Sequence, residues 1–286
     1  MIPRELSTAL TEQLGNIRSA MPVGGGDISE EARIETDHAA YLVKWNFRPR
    51  PRMFEVEARG LQLLAEAKAL RVPQVIALID QPPALVLEWI EAGSNKSSAA
   101  DALGNGLAQQ HRSIGARHGL DHDNYIGANP QINTPADAWI DFYRDRRLGV
   151  QIDIARERGH LTPDRSRRLD AIVNHLDRWI DPGAVVPSLL HGDLWGGNYL
   201  IDAHGDPVLI DPAVYYGDRE AEIAFTELFG GFGPRFYAAY NEAWPLDQGY
   251  TDRRDLYNLY HLLNHLNLFG EGYGGSVDAI LRRYGI

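Results

Sequence analysis

Apolar residues recur every three or four positions near the start of the chain. Leu6, Leu10, Leu14 and Ile17 share one face of a helix expected over residues 4–20, which Pro22 ends. Val23-Gly24-Gly25-Gly26-Asp27-Ile28-Ser29 then reads as a glycine-rich turn between strands. A strand follows over Ala39–Trp45, with Lys44 between Val43 and Trp45 and on the face of Leu42. From Met53 to Leu70 the period is helical, and Phe54, Ala58, Leu61, Leu64 and Ala65 form the stripe. Glu57 falls on that stripe, whereas Glu55 falls on the polar face with Arg59, Gln62 and Glu66. A strand ending near Asp80, a turn at Pro82-Pro83 and a near-continuous apolar run, Ala84–Ile90, come next. The small, polar stretch Glu91–Ser98 reads as a linker.

Helical spacing dominates the middle of the chain. A helix over 99–116 turns Leu103, Leu107 and Ile114 inward and carries His111, to which a structural role is assigned. Residues 118–135, rich in Gly, Asn, Asp and Pro, read as a long loop. A helix over 136–158 carries Trp139, Phe142, Tyr143 and Leu148, and its charged run Arg144-Asp145-Arg146-Arg147 reads as a solvated face. Thr162 is the N-cap of a helix expected to reach about Ile180, with Pro163 in its first turn. Between Pro187 and Tyr216 the pattern becomes strand, loop, strand, turn, strand, with the turn at His204-Gly205-Asp206. Asp218 then caps a helix, with Glu222 in the first turn where acids favour the dipole. Phe229-Gly230-Gly231-Phe232-Gly233 is a tight break, and helices over about 253–269 and 276–284 finish the chain.

With 286 residues there is room for one large domain or two lobes. A net charge of -11 argues against broad nucleic-acid binding and against an anionic membrane surface as partner. No cysteine is present, which excludes disulfides, zinc–thiolate sites and thiol catalysis. The N-terminal residues lack an apolar signal core and no apolar run approaches a membrane span, so a cytoplasmic location is expected.

The chemistry concentrates in residues 187–216. His191-Gly192-Asp193 follows a short apolar strand, Asn198 comes five positions after Asp193, and Asp211 ends the next hairpin. This H-x-D-x-x-x-x-N pattern with a later Asp suits phosphoryl transfer. Asp193 is the expected base for an attacking hydroxyl, and Asn198 and Asp211 are expected oxygen ligands for magnesium. A lysine turned inward needs a partner. A Lys44–Glu57 pair would supply one and set the ammonium on nucleotide phosphates. Gly25, Gly26 and Ser29 are candidates for the phosphate loop ahead of that strand. Trp195, between the base and the magnesium ligand, either walls a substrate or plugs the loop.

HGDLWGGN, LIDPAVYYGDREAEIAF and FGGF together resemble the fructosamine kinase (ketosamine-3-kinase) family, from about Gly24 to the end of the chain. The resemblance implies an α+β, bilobal protein-kinase-like fold related to the aminoglycoside phosphotransferases. A β-sheet lobe with one helix would occupy residues 1–91, and a mostly helical lobe residues 92–286. It implies Mg-ATP, with Glu88, Trp89 and Ile90 holding the adenine through their backbone, and phosphorylation of a ketoamine (free, or a glycated lysine on a protein) at its 3-hydroxyl. It favours Trp195 as a substrate wall and carries substrate contact to Asn264-His265. Other readings are an aminoglycoside- or choline-type kinase, a non-catalytic nucleotide-binding module, and a metal hydrolase built on His191 and Asp193.

Overall fold

Leu6, Leu10 and Leu14 are buried on helix α1 (Arg4–Leu14). The computed structural model describes all residues except Met1, Gly25–Asp27, Ser94–Lys96, Pro182, Ala184, Gly285 and Ile286. The helix ends sooner than the spacing predicts, because Gly15 adopts φ +89° and leaves the helical path. Ile17 therefore opens strand β1 (Ile17–Pro22) rather than extending the helix. Strands β2 (Glu30–Thr36) and β3 (Ala40–Trp45) follow, then helix α2 (Met53–Glu66) and strands β4 (Val75–Asp80) and β5 (Pro83–Glu88). They form a five-stranded antiparallel sheet in the order β1-β2-β3-β5-β4.

Strand alternation divides the residues of that sheet between two faces. Ala32, Ile34, Val43, Trp45, Ile79, Ala84 and Val86 pack against α1. Leu85 and Leu87 join Phe54, Ala58, Leu61 and Leu64 of α2 in a second cluster that continues through the rest of the chain. The sheet therefore has a helix on each face, where one was expected. Lys44 lies on the α2 face, as the alternation requires.

From β5 the chain enters helix α3 (Ser97–His111), which buries Leu103 and Leu107. Ile114 lies beyond the end of this helix and is half exposed, not inward. The 118–135 segment contains a hairpin, β6 (Asn124–Ile126) and β7 (Asn129–Gln131), rather than a plain loop. Its polar residues are buried because they satisfy one another: Gln131 and Asn133 each donate to Asn124 Oδ1 at 2.8 Å, and Asn124 Nδ2 donates to Val214 O.

The next helix is interrupted. α4 (Trp139–Phe142) passes into a π-helical turn (Tyr143–Leu148) and then α5 (Gly149–Glu157). A π turn carries more residues per revolution, which rotates the following side chains around the axis. Arg147 is thereby fully buried, which corrects the expectation of a solvated charged face. Its guanidinium lies 3.9 Å from the Tyr215 ring centroid and 4.5 Å from that of Phe142. It donates to Ile132 O and to Asn133 Oδ1, both at 2.8 Å, and so pins the residues after β7.

Helix α6 (Pro163–Val173) begins as expected, with Thr162 Oγ1 accepting from Arg165 N, but stops at Val173 and gives way to a short turn. Strands β8 (Ser188–Leu190), β9 (Tyr199–Ile201), β10 (Pro207–Leu209) and β11 (Tyr215–Gly217) form two small ladders, β8 with β11 and β9 with β10. Helices α7 (Arg219–Leu228), α8 (Pro234–Ala243), α9 (Tyr250–Phe269) and α10 (Gly274–Tyr284) complete the helical part.

Replacing Arg147 by Met keeps a flexible apolar stem but removes the guanidinium hydrogen bonds and the ring contacts. Urea unfolding of Arg147→Met is expected to show a loss of about 2–4 kcal/mol. An unchanged midpoint would mean that the buried guanidinium holds nothing.

Candidate active site

Asp193 and Asp211 come together because two loops are tied to each other. His191 is buried, and its Nε2 donates to Ile210 O at 2.9 Å while Nδ1 accepts from Asp193 N at 3.3 Å. Burial holds its pKa below the usual value, so the ring is neutral with its proton on Nε2. Ala213 N donates back to His191 O at 2.8 Å. Gly192 has φ +82°, and a Cβ there would collide with Ala213 O, so only glycine fits between the loops.

A third element clamps the Asp193 loop. Glu222, buried on α7, accepts from His191 N at 3.0 Å and from Gly192 N at 2.6 Å, and it pairs with His111 Nε2 at 2.9 Å. Burial would raise the Glu222 pKa, but His111 and the amide donors outweigh it and leave the carboxylate below its ordinary range. The sequence pattern assigns Glu222 to the helix dipole. The structure instead places it beneath the loop that bears Asp193, with His111 as its support.

Asn198 Nδ2 donates to Asp193 O at 2.7 Å and to Asp193 Oδ2 at 3.1 Å, which leaves Asn198 Oδ1 for another partner. Asp211 has φ +54°, a left-handed conformation that a non-glycine residue holds only when its surroundings impose it. Its Oδ1 accepts from Lys44 Nζ at 2.7 Å. Lys44 also donates to Glu57 at 2.7 Å, the pair expected from the stripe on α2, and lies 3.6 Å from Glu31. Glu31 was missed in the sequence. It stands directly opposite Lys44 in the β2–β3 register.

The charges work against one another. Burial pulls the Lys44 pKa down, but Asp211, Glu57 and Glu31 together raise it above the normal lysine value. Glu57 and Glu31 are raised by burial, against the pull of Lys44. Asp193 is pushed up to about 7 by burial and then by the charge of Asp211, against the Asn198 hydrogen bond.

These groups line one cavity of about 780 Å³, together with Ile28, Ser29, Asn124, Trp195, Phe229, Asn264, His265, Phe269 and Tyr273. A volume of that order suits a small-molecule site. Trp195 is 41 % exposed, and its indole lies across Gly197. Gly196 and Gly231 approach so closely that a Cβ on Gly231 would strike Gly196. The WGG and FGGF segments are therefore two sides of one backbone contact, sealed by Tyr199 Oη donating to Gly231 O at 2.9 Å. Phe229, the first residue of FGGF, surrounds His265 together with Phe269 and Tyr273, and none of the three was singled out in the sequence as a site residue. The His265 pKa is lowered by burial, and its Nδ1 lies 2.8 Å from His261 O. A carbonyl only accepts, so Nδ1 carries the proton and Nε2 keeps its lone pair.

Gly25 and Gly26 lie outside the described residues, although Ser29 lines the cavity. Glu88, Trp89 and Ile90 are not part of the cavity wall. The Glu88 carboxylate takes Arg71 at 2.5 Å, the Glu88 N–H donates to Gln74 O, and the Trp89 indole donates to Glu91. Among the described residues no group of three or more His, Cys, Asp or Glu could hold a metal ion. The open donors are the Asn198 amide oxygen and one oxygen of Asp211. So sparse an oxygen set fits magnesium, which keeps several waters and is shared with substrate phosphates. No helix among the described residues is long and apolar enough to cross a membrane.

A model of the fructosamine kinase family matches residues 2–285. A "Probable ketoamine kinase" of Lactiplantibacillus plantarum is 42 % identical over 273 residues, covering 95 % of this chain and 96 % of its own. A chloroplastic "Protein-ribulosamine 3-kinase" of Oryza sativa subsp. japonica is 39 % identical, covering 94 % of this chain and 79 % of its own. The crystal structure of a "Putative fructosamine-3-kinase" from Haemophilus somnus 129PT is 31 % identical, with a TM-score of 0.89 over 98 % of this chain and 97 % of that one. Small-molecule kinases only 15–17 % identical share the protein-kinase-like fold, and that likeness extends to the fold alone. With the family model spanning nearly the whole chain and the expected kinase residues gathered in one cavity, the chain is a kinase and belongs to the fructosamine kinase family.

Proposed function

We propose that this chain transfers the γ-phosphoryl group of Mg-ATP to the 3-hydroxyl of a ketoamine, a sugar-derived ketone bearing a substituted amine. The observation that carries the proposal is the convergence of Lys44, Asp193, Asn198 and Asp211 on one cavity, in a chain whose relatives are named for ketoamines and ribulosamines. Residues 1–91 and 92–286 would act as two lobes hinged where β5 leads into α3, in a cytoplasmic enzyme. A 3-phosphate is labile, so the product would release its amine and reverse the glycation.

Each residue has a definable task. Asp193 orients the attacking hydroxyl and accepts its proton, and a pKa near the operating pH suits a general base. Lys44, held by Glu57 and buried, presents its ammonium to the phosphates of the nucleotide. Asn198 Oδ1 and the second oxygen of Asp211 would hold magnesium, which when bound neutralises phosphate charge. Glu222 and His191 keep the Asp193 loop in register with the Asp211 loop, and most of the rate enhancement in phosphoryl transfer depends on such positioning. Trp195 and the neutral His265 belong to the substrate side of the cavity.

A coupled ATPase assay across fructose-, ribulose- and erythrulose-derived amines, with choline and an aminoglycoside as controls, tests the assignment. ATP turnover dependent on a ketoamine, with the phosphate on O3 of the product, is expected. Turnover with only the control alcohols would overturn it.

Asp193→Asn is expected to lower kcat by at least ~10³-fold while nucleotide binding persists. The same variant has a signature in stability. The native carboxyl titrates near 7 and an unfolded Asp well below that, so the folded state binds the extra proton and loses stability as pH rises between those values. Without ligands, Asp193→Asn should therefore melt above wild type at pH 8, and the gap should shrink toward pH 5. A constant gap across that range would show that burial and Asp211 do not hold the Asp193 carboxyl above its ordinary range.

A further inference from the structure

Asn264 is 2 % exposed, lies on α9 and contributes to the cavity wall. Which end of its carboxamide faces the cavity is settled by residues that do not touch the cavity. Arg158 Nη2 donates to Asn129 Oδ1 at 3.1 Å. A guanidinium has no acceptor, so Asn129 must turn its oxygen to Arg158 and its Nδ2 the other way. Asn129 Nδ2 then donates to Asn264 Oδ1 at 2.9 Å.

A second chain reaches the same atom. Asn267 Nδ2 donates to Gln151 Oε1 at 2.8 Å, and Gln151 Nε2 donates to Asn264 Oδ1 at 3.3 Å. Asn264 Oδ1 thus receives two N–H groups, and turning the amide over would set its own N–H groups against both. Asn264 Nδ2 has no hydrogen-bond partner among the described residues, and in an otherwise buried side chain it is the polar end left open to the cavity. A donor so placed is free to meet a ligand or water.

We propose that the Asn264 amide, at the position where the family resemblance implies substrate contact, is locked by Arg158 through Asn129 with its N–H toward the cavity, so that the contact is a donor to an uncharged acceptor oxygen, a carbonyl or hydroxyl neighbouring the attacked hydroxyl. Arg158 and Asn129 are positioning residues that set the polarity of this contact from outside the cavity. The neighbouring His265 presents a lone pair at Nε2, so consecutive residues of α9 offer one donor and one acceptor. That pair matches a polyol or ketose, which carries acceptor and donor oxygens on adjacent carbons. This assignment of the contact rests on the kinase reading of the cavity.

The test uses Asn264→Asp and Asn129→Asp in the full chain, with fructosyl-lysine as the phosphoryl acceptor. Asn264→Asp leaves an oxygen to receive Asn129 and Gln151, turns the cavity-facing atom from donor to acceptor and adds a carboxylate, whose effect on the nucleotide is read separately in the KM for ATP. Asn129→Asp keeps an oxygen for Arg158 but faces Asn264 Oδ1 with a second oxygen, which drives the Asn264 amide to turn over. Both variants are expected to lose roughly 10²-fold in kcat/KM for the ketoamine, with KM for ATP within about threefold of wild type. Retention of wild-type kcat/KM by Asn264→Asp overturns the contact, and retention by Asn129→Asp overturns the relay. Thermal melts with ATP identify any variant that fails to fold, and the other then carries the test. Absence of ketoamine turnover in the wild type would count against the kinase assignment, whereas wild-type turnover with unaffected variants counts against this inference alone.

Discussion

An excess of carboxylate around one ammonium is the constraint on which the site depends. Lys44 lies within 2.7 Å of both Glu57 and Asp211 and 3.6 Å from Glu31, with Asp193 held on the far side of Asp211 through the Asn198 amide. Most of these groups are recessed, and burial, with the charge of Asp211 added to it, raises the pKa values of Asp193, Glu57 and Glu31. Such a cavity is unfavourable when empty and favourable once it holds positive charge. An arrangement that costs stability and suits one ligand is the usual mark of a functional site.

The rest of the fold keeps those charges from moving apart. His191 bridges the two loops by its ring, Gly192 lets the backbones touch, and Glu222 grips the peptide N–H groups ahead of Asp193. Beneath this, the buried Arg147 secures the chain after the β6–β7 hairpin, and that hairpin in turn hydrogen-bonds the backbone at Ala213 and Val214, just beyond Asp211. The geometry of the cavity is thus held by polar groups that are buried and paired, which makes it stiff.

The chemistry was more legible in the sequence than the scaffold around it. Glu57 could be chosen over Glu55 because a carboxylate on an apolar stripe demands a partner, and Lys44 is that partner in the structure. Asp193, Asn198 and Asp211 were readable because strand ends and turns set their spacing. Arg147 was not, since a π turn shifts the helical phase and leaves no trace in a 3.6-residue pattern. The β6–β7 hairpin was read as loop because its interior is amide rather than apolar, and hydropathy is blind to amides that satisfy one another. Glu31 could have been found: Ala32, Ile34 and Thr36 alternate inward, which marks a strand next to the lysine strand. Glu222 sits among residues buried on every side of α7, so periodicity could not tell its contact from a dipole effect.

The central claim is that the carboxylate-rich cavity takes up its nucleotide together with a divalent cation. Calorimetric titration of the wild-type chain with ATP, in magnesium and again in EDTA, tests it most directly. Binding in magnesium that weakens by at least about tenfold in EDTA is the predicted result, because the triphosphate alone would add negative charge to a site already short of cations. Equal affinity in the two buffers would contradict the account.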